Sequence, residues 1–512
     1  MIFSRHDQLD LDAYLRVAFD HERVELDSGL LAEVDRRRAA MLAHVDEGQP
    51  AYGVNTGLGL LATRAVTPED QAAFQRTILV ARAGAVGPPL AEPVVRGTML
   101  LRLAGFLSGL PGVSADLCRF IADRLNDGWL PVVPAGVGGA PGETVPLAHL
   151  FQTFAGEGEV LVDGRQVPAS EALRSSGLQP PELGAKEGIA LINGAPVAPA
   201  LAIPLALGAE ALVEHATLAG TLAVAIIGAS ARPYSVRIGE LKGDPAQLQV
   251  HRRMSELLAG GGRWDSAAQA PVSLRVIPQV HGAALDVIGR LREQLDRELR
   301  AVADSPVFLG AGEDQPEGLY PTGNFHAQAV TTLIDAVAIG SAQVLNLVEK
   351  RMHRLLDSRF SGLPEQLSQD PGRHSGLVIL HKQVIGLAAE AASLAVPGSI
   401  RAADASTGQE DFQAHTILAA RQLGQILSDL ELALAYELVT LRQAGDLASR
   451  PLPPALHVAL AAVAEVVPEI HEDRSLAPDV QRVRDLIARG TLAPHAPRWS
   501  PLLEPDRCRM WP

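Results

Sequence analysis

Three groups of polar residues interrupt an otherwise apolar chain, and each has side chains that can do chemistry. Tyr52 lies in a glycine-laced stretch, Tyr52-Gly53-Val54-Asn55-Thr56-Gly57-Leu58-Gly59-Leu60, where a phenol held by a tight turn can serve as a general acid or base. Asn193-Gly194 sits in an apolar run. With Gln269 and Ser273-Leu274-Arg275, just ahead of a long helical segment, it offers amides and a guanidinium suited to a carboxylate. The third group is His381-Lys382 with Gln409-Glu410-Asp411. Lys382 has mostly apolar neighbours within 376–394, so burial is expected to lower its pKa. Each group also has a plainer use: a packed tyrosine with a satisfied hydroxyl, a surface arginine, a solvated lysine.

A fourth stretch runs from Val133-Pro134 to Pro146-Leu147-Ala148-His149. Four glycines and two prolines within Pro134–Gly142 exclude regular helix or strand there. A helix is expected from Leu147 onward, with Thr144 as its cap and Pro146 at its start. A glycine-rich turn feeding a helix N-terminus aims backbone N–H groups at a ligand.

The elements that must position these groups are helices. Alanine- and leucine-rich segments at 197–230, 276–304, 323–355, 375–394 and 411–445 carry helical periodicity, separated by loops rich in Gly, Pro, Asp and Ser. Shorter helices are expected at 29–47, 70–84, 93–108, 115–127 and within 457–490. Only 158–168, with an Asp163-Gly164 turn, reads as a strand pair. The expected fold is all-α: a long central helix bundle with an irregular N-terminal region that carries the site. Residues 1–196 are expected to form that region, 197–450 the bundle, and 451–512, after Pro451-Leu452-Pro453-Pro454, a C-terminal cap and tail.

Composition narrows the function. The 512 residues are 47% hydrophobic and 20% charged, ample for a large core. Net charge is −15 and no basic run exceeds Arg36-Arg37-Arg38, which argues against nucleic acid or an anionic membrane as partner. Cys118 and Cys508 are far apart without a ligand-spaced neighbour, so neither a disulfide framework nor a metal site is expected. Met1-Ile2-Phe3-Ser4-Arg5-His6-Asp7 lacks the apolar core of a leader, and a cytoplasmic location is expected. The uncharged run 188–209 contains Asn193 and Pro196, Pro199 and Pro204, which fits a core helix better than a membrane span.

Taken together, the motifs resemble the aromatic amino-acid ammonia-lyases and aminomutases. The resemblance rests on Tyr52–Gly59, Met99-Leu100-Leu101-Arg102, the Val133–His149 stretch, and Lys186-Glu187-Gly188 with Leu191-Ile192-Asn193-Gly194. It continues through Ser273-Leu274-Arg275 with Pro278-Gln279-Val280, Gly323-Asn324-Phe325-His326 and Gln409-Glu410-Asp411. It runs in order from about residue 10 to 495, and implies a helical homotetramer whose active sites draw on more than one subunit. It also implies loss of an amine from an amino acid, assisted by a methylidene-imidazolone electrophile made from an Ala-Ser-Gly triplet.

Here that triplet reads Ala140-Pro141-Gly142. Proline has no hydroxyl to lose as water, and its nitrogen is already tertiary, so the electrophile cannot form by that route and no cofactor is expected. Other departures are Ala270 and Val272 in place of an aspartate and a tyrosine, Glu143 in place of an aspartate, and Arg82 beside Ala81 where histidine lyases carry a histidine. Tyr52, Asn193, Gln269, Arg275, Phe325 and Glu410 remain.

A trimethylammonium group leaves as a neutral amine without protonation. The resemblance to the ergothionase type of this family therefore implies elimination of trimethylamine from a histidine-type betaine, ergothioneine or hercynine. In that scheme Tyr52 removes the β-proton, while Arg275 and Asn193 hold the carboxylate with Gln269 nearby. Lys382 and His381 stabilise charge on the ring, Glu410 and Phe325 face the cation, and Arg82 contacts substrate or a thione sulfur, or only a salt-bridge partner. A catalytically silent homologue, or a biosynthetic enzyme of another reaction type, stays open as the alternative.

Overall fold

A computed structural model describes residues 1–46, 50–261, 269–312 and 314–493. Nine helices position the site: α1 (Gln71–Val80), α2 (Glu92–Phe106), α3 (Thr144–Phe151), α4 (Glu187–Ile192), α5 (Val197–Ile227), α6 (Ile277–Glu298), α7 (Gln328–Leu356), α8 (Val378–Leu394) and α9 (Thr416–Leu447). The centre of the molecule is a bundle in which α7 packs on α6, α8 and α9, and α5 packs on α6, α7 and α9. The long segments expected from periodicity are all present. The expected Pro/Trp-rich tail falls largely outside the described residues.

The α5 segment explains the uncharged run. It is apolar around its whole circumference because it is enclosed on all sides, and 94% of the most apolar window in Glu187–Ile227 is buried within the chain. Pro199 falls in its first turn, where no intrahelical N–H is needed. The helix ends at Gly228, whose left-handed φ of 72° lets the amides of Gly228 and Ala229 close on Ala225 and Val224. Gln328–Leu356 is also long and apolar enough to span a membrane by composition, and 61% of its window is buried. A fully buried ion pair, Arg351 Nε to Glu437 Oε1 at 2.7 Å and Nη2 to Oε2 at 2.8 Å, ties α7 to α9.

Two local expectations are corrected. The hairpin Glu159–Val162/Arg165–Pro168 forms with its turn at Asp163-Gly164 (φ 50° and 72°), but it is not the only strand pairing. Leu130–Pro131 joins it as a third strand, and Ile2–Phe3/Glu25–Leu26 and Val307–Leu309/Gly318–Tyr320 form two further pairs. These strands are two or three residues long, too short to show period-two alternation. The helix after the glycine loop begins at Thr144 itself, so Thr144 is not its cap. Glu143 precedes it and turns its carboxylate to the N-terminus of α5 instead, accepting from the amides of Val197 and Ala198 (2.6 Å for the latter). A carboxylate satisfies orphan helix amides better than a hydroxyl does and suits the positive end of a long helix.

Candidate active site

The Tyr52 loop is held by tight packing. Gly53 has φ 68° and no space for a side chain, since a Cβ would lie 2.8 Å from Leu58 Cδ2. The chain turns back so that the Gly59 amide donates to Tyr52 Oη at 3.0 Å. Fully buried Gln75 on α1 fastens the loop to α4: its amide donates to the Gly53 carbonyl (2.9 Å) and its oxygen accepts from the Ile189 amide (3.1 Å). A methyl group on Gly59 would come 3.6 Å from Glu410 Oε1, so the Glu410 carboxylate lies beside the turn that holds the phenol. Glu410 itself is fixed by backbone pairing with Ala405 (2.8 and 3.2 Å).

Asn193 is positioned by a buried charge network. Lys186 and Asp304 are both inaccessible to solvent and meet at 2.8 Å, while Arg102 on α2 contacts the other Asp304 oxygen at 3.0 Å. The same guanidinium donates to the Asn193 carbonyl (2.7 Å) and the Ala303 carbonyl (3.1 Å). The Asn193 side-chain amide donates to the Ser305 carbonyl at 2.7 Å, so it offers a ligand its oxygen and one remaining N–H. Burial pushes Lys186 below the usual lysine range, opposed by the Asp304 charge.

These elements line a large cavity open to solvent. Tyr52, Arg82, Ala140, Pro141, Gly142, Asn193, Phe325 and Glu410 all line it. Gly142 packs closely on Phe325: a Cβ would lie 3.1 Å from the Phe325 ring and 3.3 Å from its carbonyl oxygen. A smaller cavity shares Ala140, Pro141, Gly142 and Phe325 with the larger one. Glu143 lines the smaller cavity beside the N-terminus of α5, and its burial pushes the carboxyl up to about 8 despite the two amide donors. His326, Thr322, Asp411 and Phe412 also line the large cavity. His326 was legible only as part of a motif; its Nε2 is buried without a partner among the described residues, and its ring lies 5.8 Å from that of Phe412. Asp304, the hub of the Asn193 network, had no local signal.

Four expected site residues are not brought there within the chain. Gln269 is exposed, and Arg275, at the end of the short helix Val272–Arg275, spends its Nε on the Ala270 carbonyl at 2.9 Å; neither lines the cavity. Lys382 is exposed on α8 rather than buried, because Leu380, Val384 and Ala388 take the inward face of the helix and Lys382 shares the outward one with exposed Ile379 and Ile385. His381 points to α7, where its Nε2 meets Glu349 Oε1 at 2.9 Å and its ring stacks on His353 at 5.3 Å. Of the alternatives for Arg82, contact with substrate or a salt bridge alone, the second is not seen: no carboxylate among the described residues pairs with it.

The Glu349 contact has a measurable consequence. The hydrogen bond from His381, helped by Lys350, holds the Glu349 carboxyl down at about 2. A depressed folded-state pKa contributes stability above the unfolded value near 4.5 that is lost as pH falls through 2. The urea midpoint of the wild type is expected to exceed that of Glu349→Gln at pH 7, with the gap closing towards pH 2. A gap independent of pH refutes the assignment.

Comparison with known proteins agrees with this architecture. Residues 9–469 match the family model described as aromatic amino acid lyase. A histidine ammonia-lyase of Aromatoleum aromaticum is 37% identical over 498 residues, covering 96% of this chain and 94% of the relative. Among solved structures, the tyrosine aminomutase of Streptomyces globisporus superposes with a TM-score of 0.88 at 28% identity, covering 95% of this chain and 96% of the other. The ergothioneine-degrading ergothionase of Treponema denticola shares the fold at a TM-score of 0.90 and 24% identity, covering 96% and 99%.

Proposed function

The chain belongs to the aromatic amino acid lyase family, and from that premise we propose that it eliminates trimethylamine from a histidine-type betaine without a methylidene-imidazolone group. The observation that carries the proposal is Pro141 in the wall of the Tyr52 cavity. The family's electrophile needs a serine hydroxyl and a free amide nitrogen at this position. Ala140-Pro141-Gly142 supplies neither, so the residues present do not fit the group, and the substrate must bring its own leaving group.

In the proposed reaction the Cβ–H bond breaks with its proton passing to the Tyr52 oxygen. The electron pair forms the Cα=Cβ bond as the Cα–N bond breaks, and trimethylamine departs neutral, leaving a urocanate-type acrylate. The Gly59 N–H on Tyr52 Oη supports this role, because a backbone donor stabilises the oxygen as it carries negative charge. Glu410 and Asp411 would attract the quaternary ammonium, with Phe325 and Phe412 offering aromatic faces to a cation that cannot donate hydrogen bonds. Arg275 would bind the carboxylate from a neighbouring subunit, as the homotetramer implied by the family resemblance allows. Neither His381 nor Lys382 lines the cavity of its own chain; Lys382, exposed on α8, would reach a site, as Arg275 would, from a neighbouring subunit.

The test is incubation of the purified protein with ergothioneine, hercynine and histidine, following trimethylamine, ammonia and the conjugated acrylate chromophore. Trimethylamine and acrylate released in equal amounts from a betaine are expected. Ammonia from histidine, or no turnover of either betaine by folded oligomer, overturns the proposal.

A further inference from the structure

His326 is the one histidine among the described residues lining the large cavity, and its ring makes no hydrogen bond or ion pair with any of them. Its Nε2 is sealed from solvent. His215, His251 and His281 also have an unmatched nitrogen, but they lie in the interior, and His415 faces the smaller cavity. A neutral imidazole carries its hydrogen on one nitrogen and a lone pair on the other. A buried N–H without an acceptor is the rarer of the two unmatched states. The hydrogen of His326 therefore belongs on Nδ1, the nitrogen that the half-buried ring leaves open to the cavity.

The turn carrying this ring is fastened from behind. The Thr322 amide donates to Ser305 Oγ at 3.0 Å, and the Thr322 hydroxyl donates to the Asp304 carbonyl at 2.7 Å. The Asn324 amide donates in turn to Thr322 Oγ1 (3.1 Å), and the His326 amide to the Gly323 carbonyl (3.0 Å). Asn193 hangs from the same two-residue segment, through the Ser305 carbonyl and the Arg102–Asp304 pair. His326 and Asn193 are thus set against one fixed point, on which the buried Asp304 charge holds both. On its other side the His326 ring leans on Phe412 at an interplanar angle of 37°, and Phe412 lines the cavity as well.

We propose that His326 is a substrate-binding residue that donates a hydrogen bond from Nδ1 to an in-plane acceptor on the substrate's ring, beside an aromatic wall made by Phe412. It selects an azole over a phenyl ring, which has no acceptor in its plane. The inference deepens the betaine-lyase reading, on which the identity of the ring rests; the donor itself stands on the unmatched imidazole and its anchored turn. Two acceptors share the required chemistry, a bare azole nitrogen and a thione sulfur.

Non-reactive probes separate the contact from the reaction. Calorimetry on the full-length protein would compare imidazole-4-propionate, its 2-thioxo analogue and 3-phenylpropionate, none of which has a leaving group. A pH of about 9 keeps the imidazole probe neutral. The wild type is expected to prefer at least one azole to the phenyl probe, and H326F should cut that preference about two- to tenfold, the share of one hydrogen bond. The azole whose advantage is lost identifies the acceptor. H326N places an amide N–H where Nδ1 stands and should keep most of the preference, whereas H326Q places it near Nε2 and should not. An unchanged preference in H326F, or equal weakening of all three probes, overturns the inference; the second result would give His326 a packing role only. Retention by H326Q and loss by H326N overturns the Nδ1 assignment. A preference that depends on His326 while no betaine is turned over refutes the proposed reaction and leaves the contact standing. Betaine turnover with a preference indifferent to H326F does the reverse.

Discussion

Tyr52→Phe is expected to lower kcat/KM for the betaine by about 10²–10⁴-fold, the range that a positioned general base contributes. The substitution removes the only atom that can receive the β-proton in this role and keeps the ring that packs in the loop. The structural cost is the loss of one acceptor for the Gly59 amide, worth about 1 kcal/mol, which a protein of this size tolerates. The thermal midpoint should therefore move little, and affinity for a non-reactive imidazole propionate should hold within a few-fold. Activity kept at the wild-type level would remove Tyr52 as the base. A variant that lost binding and turnover together would instead give the phenol a packing role.

The largest expected effect on stability is at Asp304. Replacing it by alanine leaves Lys186 and Arg102 facing each other in a site closed to solvent, with neither charge compensated. Breaking a buried pair in this way costs about 3–5 kcal/mol, a large share of the total for a folded domain. Asp304→Ala is expected to give low soluble yield and a sharply lowered urea midpoint. Asp304→Asn, which keeps an acceptor oxygen, should be milder, and its turnover should fall because Arg102 and the 303–305 segment also hold Asn193. The exposed pair Arg300–Asp296 provides the contrast: Asp296→Ala should leave the midpoint close to that of the wild type, because solvent already screens both charges. Equal effects at the two aspartates would refute the account of the network.

The long helices were legible because their burial is written as periodicity. The run through Val197–Ile227 even announced its central position by lacking a polar face. Tyr52, Asn193, Phe325, Glu410, Arg82 and the Ala140-Pro141-Gly142 triplet were legible as motifs, and the structure gathers them round one cavity. Lys382 shows the opposite case. A lysine among apolar residues on a helix is buried or exposed according to which side of the cylinder it occupies, and α8 turns it outward while Leu380 and Val384 face in. His381 was read with Glu410 but belongs to Glu349, a partner chosen by the packing of α8 on α7.

What the sequence by itself determined is local chemistry and local geometry: which segments coil, where glycine permits a close approach, and that Pro141 cannot yield the family's electrophile. Those properties depend on a residue and its near neighbours, and no fold can give proline a hydroxyl. Only the tertiary structure decided which polar groups share a solvent-accessible space and which neutralise each other in the interior. Arg102 and Lys186 were quoted as motif residues of equal standing with Asn193, yet they are sealed on Asp304 while Asn193 lines the cavity. That sorting follows from the cost of an unpaired buried charge, which is settled between residues distant in the chain and only after the helices have packed.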